Sequence, residues 1–226
     1  MAAGRVGWGD SFGGYRARLV EQLRERGIAD LAVLKAVGET PRHLFVPEAI
    51  RHRAYDDAAL PIGQGQAISQ PSTQARYIEA LELRGPERVL EVGTGSGYQA
   101  ALLAQVCQTV VSLERLPSLA AQARQVLDAL GIANVTVIVA DGSLGWTPTA
   151  PYDGIVVAAA GPEVPAPLVN QLVEGGRLVI PVEAGGAQEL WRVTRLGSGT
   201  RRERLGDAHF VPLVGYHGFP TKPPEH

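Results

Sequence analysis

A chain of 226 residues and 24.0 kDa, 45% hydrophobic and 19% charged, has enough apolar matter for a packed core, which excludes a largely disordered protein. Twenty-one Lys and Arg against 23 Asp and Glu leave a net charge of −2, so nothing predicts counterion-driven binding to DNA or RNA. The single cysteine, Cys107, excludes an internal disulfide framework and a cysteine-based zinc site, and no apolar run approaches the roughly 20 residues of a membrane span.

In chain order, Phe12, Tyr15, Leu19 and Leu23 recur at helical spacing and predict a helix over 12–27, closed by Gly27. Asp30 suits the N-cap of a short helix over 31–37, ended by Gly38 and Pro41. Segment 41–70 is rich in Pro, Gly and Gln without a lasting period and is expected to form an irregular covering layer. A helix over 71–83 follows, with Pro71 in its first turn and Ala75, Ile78 and Leu81 on one face.

From there the pattern alternates. Val/Ile/Leu-rich runs at 88–92, 109–113, 135–139, 154–158 and 177–182 suit strands buried on both faces. Helical stretches fall near 97–106, 117–130 and 164–173, with Gly131 and Gly175-Gly176 where C-caps belong. Such alternation predicts an open, doubly wound parallel sheet. Two late runs, 189–196 and 209–215, have no helix between them and are expected to pair antiparallel. The basic run R-R-E-R at 201–204 is expected in a solvated turn, Cys107 as a small buried residue, and the 221–226 tail frayed. The start lacks the apolar stretch of a secretory signal, so a cytoplasmic location is expected.

The strongest local signal is V-L-E-V-G-T-G-S-G-Y-Q-A-A over 89–101, a strand entering a glycine turn with a helix directly after it. Gly93, Gly95 and Gly97 allow a sharp turn and close approach of a ligand, and free N–H groups at the helix start would suit an anion. Taken alone, G-x-G-x-G is equally compatible with a tight strand–helix turn. Glu114 ends the next strand, where an acid can accept ribose hydroxyls, and Asp141-Gly142 follows the third. Individually these could be a solvated carboxylate and a turn cap. Together, at the carboxyl edge of one sheet, they predict a nucleoside-cofactor site.

The spacing G-T-G-S-G, with Glu91 two residues before the first glycine, resembles the first motif of class I S-adenosyl-L-methionine (AdoMet)-dependent methyltransferases. Over 15–217 the chain is similar to the protein-L-isoaspartate O-methyltransferases. The likeness is carried by R-G-I-A-D at 26–30, P-R-H-L-F-V-P at 41–47, P-I-G-Q-G-Q-A-I-S-Q-P at 61–71, the glycine motif, A-P-Y-D-G-I-V-V-A-A-A at 150–160, L-V-E-G-G-R-L-V-I-P-V at 172–182 and F-V-P-L-V-G at 210–215. The glycine motif belongs to the wider superfamily, whereas G-x-G-Q-x-I-S-x-P is narrower and decides the family.

The resemblance implies a Rossmann-like, mostly parallel seven-stranded methyltransferase sheet with a C-terminal antiparallel hairpin. A helical and irregular cover with the substrate-side loop is expected over 1–83, the AdoMet-binding core over 84–217 and a tail over 218–226, all in one compact domain. It implies methyl transfer to the free α-carboxylate of L-isoaspartyl residues in damaged proteins and peptides, starting repair through a succinimide. It assigns catalysis to Ser69, AdoMet binding to Ile68, Ser69, Glu91, Gly93, Thr94, Gly95, Ser96, Gly97, Glu114, Arg115, Asp141 and Gly142, and substrate binding to Gln66, Ala67, Ser69, Val211 and Val214. A monomer acting on isoaspartyl peptides is expected, with no nucleic acid or membrane partner.

An ionised carboxylate is already a nucleophile, so no general base and no metal are expected, and the dispersed His43, His52, His209, His217 and His226 form no ligand set. His43 is expected to tie the cover to the sheet. For Ser69 the competing role is a plain N-cap before Pro71. Ala67 and Ala158 stand where the family often has threonine, or for Ala158 also glycine, and Thr40 where it often has valine. The rival readings are an AdoMet-dependent enzyme acting on another small acceptor or on RNA, and a non-catalytic AdoMet-binding homologue.

Overall fold

The computed structural model describes residues 12–220; the start as far as residue 11 and the 221–226 tail, with its expected fraying and His226, lie outside the described residues. The cover begins with helices α1 (Gly13–Glu25) and α2 (Leu31–Glu39). Asp30 caps α2, its Oδ1 accepting the N–H groups of Ala32 and Val33 at 2.8 and 3.2 Å. Two 3-10 turns, Arg42–Phe45 and Glu48–Arg53, lead to a hairpin of β1 (Leu60–Gly63) and β2 (Gln66–Ile68), then to α3 (Pro71–Ala80). This hairpin was not expected within 41–70. Its strands are short, and its turn rests on positive φ at Gly63, Gln64 and Gly65.

The core alternates β3 (Arg88–Val92), α4 (Tyr98–Val106), β4 (Thr109–Glu114), α5 (Pro117–Ala129), β5 (Val135–Val139), β6 (Tyr152–Val157), α6 (Ala166–Asn170) and β7 (Leu172–Ala184), closed by β8 (Ala187–Leu196) and β9 (Gly199–Ala208). The seven strands lie in the order β5-β4-β3-β6-β7-β8-β9. Pairings from β5 to β7 are parallel, and β7–β8 and β8–β9 are antiparallel. Alternate residues of β3 serve opposite faces: Val89 joins the core under the cover and α4, whereas Leu90 and Val92 join the core on the α6 side. Strand order reverses at β3, flanked by β4 and β6, so the crevice for a ligand lies beyond its carboxyl end.

Five expectations differ from the structure. The antiparallel partner of β8 is 199–208, not 209–215. Strand β9 carries the basic run as a sheet edge, with Arg192 paired to Glu203 at 3.1 Å and Arg204 to Glu189 at 2.7 Å, so cross-strand charge rather than apolar alternation marks it. Segment 209–215 runs across the sheet end with Leu213 buried and Phe210, Val211 and Val214 half-buried: Ala160 N–H donates to Val211 O at 2.8 Å and Leu213 N–H to Ala160 O at 2.7 Å. The helix expected over 164–173 spans only Ala166–Asn170, and Gly175-Gly176 lies within β7 instead of capping a helix. His43 ties parts of the cover to each other, stacking on Phe12 at 4.2 Å and bonding Tyr55 Oη at 2.8 Å. Cys107 is buried as expected, and burial pushes its thiol up to about 12.

The cover is locked by Arg42, whose side chain is fully buried. Its guanidinium donates at 2.8 Å to each of Ala54 O, Gln74 Oε1 and Ser69 O, and sits 4.7 Å from the Tyr98 ring centre. Burial pulls its pKa down to about 10, which leaves it charged at neutral pH. Arg42→Ala would strand three acceptors, two of them buried, and should cost roughly 3–5 kcal/mol. Arg42→Lys should recover only part, because one ammonium cannot copy the planar fork. Urea midpoints of the three proteins check this, and a loss below about 1 kcal/mol in the alanine variant would contradict it.

Candidate cofactor and acceptor site

The turn between β3 and α4 folds over the end of β4. Gly93 and Thr94 N–H donate to Leu113 O at 2.8 and 3.1 Å, Gly97 N–H to Thr94 O at 2.8 Å, and Tyr98 N–H to Ser96 Oγ at 3.3 Å. Gly95 N–H donates to Glu114 Oε2 at 2.9 Å, and Leu116 N–H to Glu114 Oε1 at 2.9 Å. These amides are therefore occupied, and the expected anion site of free N–H groups is not formed by them. What the turn offers instead is shape, with positive φ at Gly93, Gly95 and Gly97. A Cβ at Gly95 would meet Ile62 of the hairpin at 3.4 Å, and one at Gly97 would crowd Ala123 of α5 at 3.2 Å. Glu114 is buried yet lines the cleft, and its oxygens keep lone pairs for a diol.

Beneath the turn, Glu91 is fully buried. Thr94 Oγ1 bonds Ser112 Oγ at 2.5 Å, and Ser112 Oγ donates to Glu91 Oε2. Glu91 Oε1 has no partner among the described residues. Burial pushes this carboxyl up to about 8, opposed by the Ser112 hydrogen bond and aided by the nearby Glu114 charge. Glu91 supports the turn from below and does not line the cleft.

The opposite wall comes from the cover and the late segment. Gln66, Ala67, Ile68 and Ser69 line it, with Val211 and Val214 across from them. Ser69 is not an N-cap: α3 is preceded by Gln70, with no side-chain capping bond. A second cavity, about 500 Å³, shares Ala67, Ser69, Ala158 and Val211 with the first and is floored by Tyr77 stacked on Phe210 at 5.1 Å. Ser69 thus sits on the boundary between the two spaces.

Arg115 lies at the exposed rim, and Gly142 lines the cleft from beyond β5. A Cβ on Gly142 would fall 2.3 Å from Val92 Cγ1, so its lack of a side chain is required by the core beneath. Asp141 and Gly97 do not line the cleft. Asp141 caps the turn after β5, accepting Ser143 N–H at 2.9 Å, and its other oxygen accepts Tyr216 N–H at 2.7 Å. Burial raises its pKa, but hydrogen bonds from Tyr216 and Ser143 outweigh that and hold it below the usual range. With His217 N–H bonded to Ser143 Oγ at 3.0 Å, this pins the late segment as a strap over the cleft.

Sequence reasoning missed Gln74 and Gln99, which also line the cleft. The first is identifiable only through Arg42: an arginine can only donate, so Gln74 Oε1 must face it and Nε2 must face away. Gln99 lies inside the glycine motif, but its motif position reveals nothing of its burial.

Comparison with known proteins places this geometry. The family model described as protein-L-isoaspartate(D-aspartate) O-methyltransferase matches residues 15–218. The chain is 53% identical over 218 residues to protein-L-isoaspartate O-methyltransferase 1 of Rhodopseudomonas palustris, covering 95% of this chain and 89% of that one. It is 55% identical over 207 residues to protein-L-isoaspartate O-methyltransferase 2 of Marinobacter nauticus, covering 91% and 94%. Among solved structures, a protein-L-isoaspartate O-methyltransferase superposes with a TM-score of 0.82 at 30% identity, covering 90% of this chain and 67% of that one. A Plasmodium falciparum structure, described as a protein-L-isoaspartate O-methyltransferase in complex with S-adenosyl-L-homocysteine, superposes at 0.75 with 28% identity, covering 88% and 98%.

The state of Glu91 is testable by pH. Its carboxyl is raised from the ordinary 4.5 to about 8, so the folded protein holds a proton that the unfolded chain has released within that window. Stability should therefore fall as pH rises from about 5 to 8.5, by on the order of a few kcal/mol. Glu91→Gln keeps the shape without titrating and should flatten that fall. Urea midpoints at both pH values measure it, and equal pH slopes in parent and variant would refute the neutral buried acid.

Proposed function

Because the chain belongs to the protein-L-isoaspartate(D-aspartate) O-methyltransferase family, we propose that Ser69 orients the acceptor carboxylate at the junction of its two cavities. The enzyme transfers a methyl group from S-adenosyl-L-methionine to the free α-carboxylate of L-isoaspartyl residues in damaged proteins and peptides. The ester is a better leaving group than the carboxylate, so the neighbouring amide can close to a succinimide, whose hydrolysis returns some normal aspartate. No helix among the described residues is long and apolar enough to cross a membrane.

The residues present fit the cofactor: a glycine-shaped turn, a buried carboxylate with spare lone pairs and a strap across the mouth. When bound, S-adenosyl-L-methionine supplies an electrophilic methyl on a sulfonium, so that a C–O bond forms as the C–S bond breaks. The chain's tasks are then alignment and exclusion of water. Gly93, Thr94, Gly95 and Ser96 would shape the space for the methionine part, Glu114 would accept the ribose hydroxyls, and Gly142 would adjoin the adenine. Val211 and Val214 cover the site.

The observation that carries the assignment is the position of Ser69, common to both cavities and held through its carbonyl by Arg42. Its hydroxyl is engaged by no side chain or backbone group among the described residues, which leaves it available to a carboxylate. Pro212 O and Val214 N–H likewise lack partners among the described residues, which supports a backbone contact with an extended peptide along the strap.

Methylation of an isoaspartyl peptide, compared with its aspartyl twin, tests the reading: only the first should accept the methyl group. Ser69→Ala should cut that turnover by about 30- to 1000-fold, as loss of an orienting hydrogen bond in the transition state does. Its melting temperature and S-adenosyl-L-homocysteine affinity should stay close to the parent's, since Ser69 caps no helix. Turnover at the parent rate would retire the assignment.

A further inference from the structure

The first turn of α4 holds two buried polar groups without hydrogen-bond partners among the described residues, Tyr98 Oη and Gln99 Nε2, and of these two residues Gln99 alone lines the cleft. Tyr98, Ala100 and Ala101 are at most 1% exposed, and Leu102 and Leu103 continue an apolar, core-facing helix. Gln99 lies among them at 4% exposure, with its amide Nε2 buried and without a partner among the described residues. An unpartnered buried amide destabilises a fold, and a leucine of similar size would carry no such cost. Its side chain nevertheless lines the cleft, one turn of chain beyond Ser96.

The cleft has two ends. Glu114 and Gly142, beyond β4 and β5, occupy the side proposed for ribose and adenine. Gln99, following β3, occupies the other side with Ser69 and with Gln74, whose Oε1 is committed to Arg42. The part of the cofactor left for that side is its amino-acid end, which carries a carboxylate and an ammonium. Both need partners once they leave water, and an amide offers a donor and an acceptor. We propose that Gln99 is a cofactor-binding residue that engages the amino-acid end of S-adenosyl-L-methionine. This rests on the cofactor reading given above. Its Nε2 lacks a partner in the free protein, and the amide gains one when the ligand binds.

Two ligands and two variants separate this role from a structural one. S-adenosyl-L-homocysteine carries the amino-acid end, and 5′-methylthioadenosine keeps the nucleoside and sulfur but lacks it. Calorimetric titration of Gln99→Leu should show the Kd for S-adenosyl-L-homocysteine raised by about tenfold, the scale of a hydrogen bond to a charged group, with the Kd for 5′-methylthioadenosine unchanged. Without ligand the variant should melt no lower than the parent. Gln99→Met, which keeps the side-chain length, repeats the comparison if the leucine variant does not fold. Equal weakening of both ligands with a lower melting temperature would assign Gln99 to packing and overturn the proposal, as would an unchanged Kd for S-adenosyl-L-homocysteine. A parent protein that binds neither ligand would instead bring down the cofactor reading itself.

Discussion

The site depends on one buried cation. Arg42 comes from the cover, yet its three hydrogen bonds end on a 3-10 turn, on the carbonyl of Ser69 and on the amide of Gln74. A guanidinium with no access to water must have its N–H groups satisfied, and its planar fork permits only a narrow set of acceptor positions. The loop carrying Ser69 is therefore held from behind by its backbone, which leaves its hydroxyl unconstrained. The same bond decides which end of Gln74 faces the cleft. Stability of the cover and geometry of the acceptor site are in this sense one property.

A second constraint operates at the glycine turn. The N–H groups of Gly93, Thr94, Gly95, Gly97 and Tyr98 close on Leu113, Glu114, Thr94 and Ser96, so these five amides are satisfied before any ligand arrives. Glu114 holds the turn through Gly95 while presenting its carboxylate to the cleft. Below it, the chain from Thr94 through Ser112 to Glu91 fills what would otherwise be an apolar core position with a neutral acid. Polar groups carried here at a cost in stability, Glu91 and Gln99, flank the turn. Buried polar atoms without partners are uncommon in native structures and concentrate where function requires them.

The strap from 209 to 219 links the two halves of the site. It is held at Ala160 by two backbone bonds and at Asp141 and Ser143 by two more. Asp141, expected at the cofactor, holds the strap through Tyr216 N–H, and the strap lies over both the cleft and the acceptor cavity. Pro212 cannot donate, and the remaining free backbone groups of the strap face away from Ala160, where a peptide can reach them.

The sequence alone determined the alternating α/β order, the parallel strands from 88 to 182, the Asp30 cap and the glycine turn with Glu114 one strand on. Each is a local matter of periodicity, capping chemistry or backbone freedom, legible within a few residues. The family motif located Ser69, although not its place between two cavities. Tertiary structure decided the rest. Strand β9 looks like a polar turn because a sheet edge is stabilised by cross-strand ion pairs instead of an apolar face. Segment 209–215 looks like a strand because Leu213 is buried and its apolar neighbours are half-buried, although they pack as a strap. Arg42, Gln74 and Gln99 are ordinary letters in the chain, and their roles arise from partners that lie 12 to 32 residues away or, for Gln99, from the absence of one. Burial and hydrogen-bond satisfaction are properties of the assembled molecule, and no local pattern encodes them.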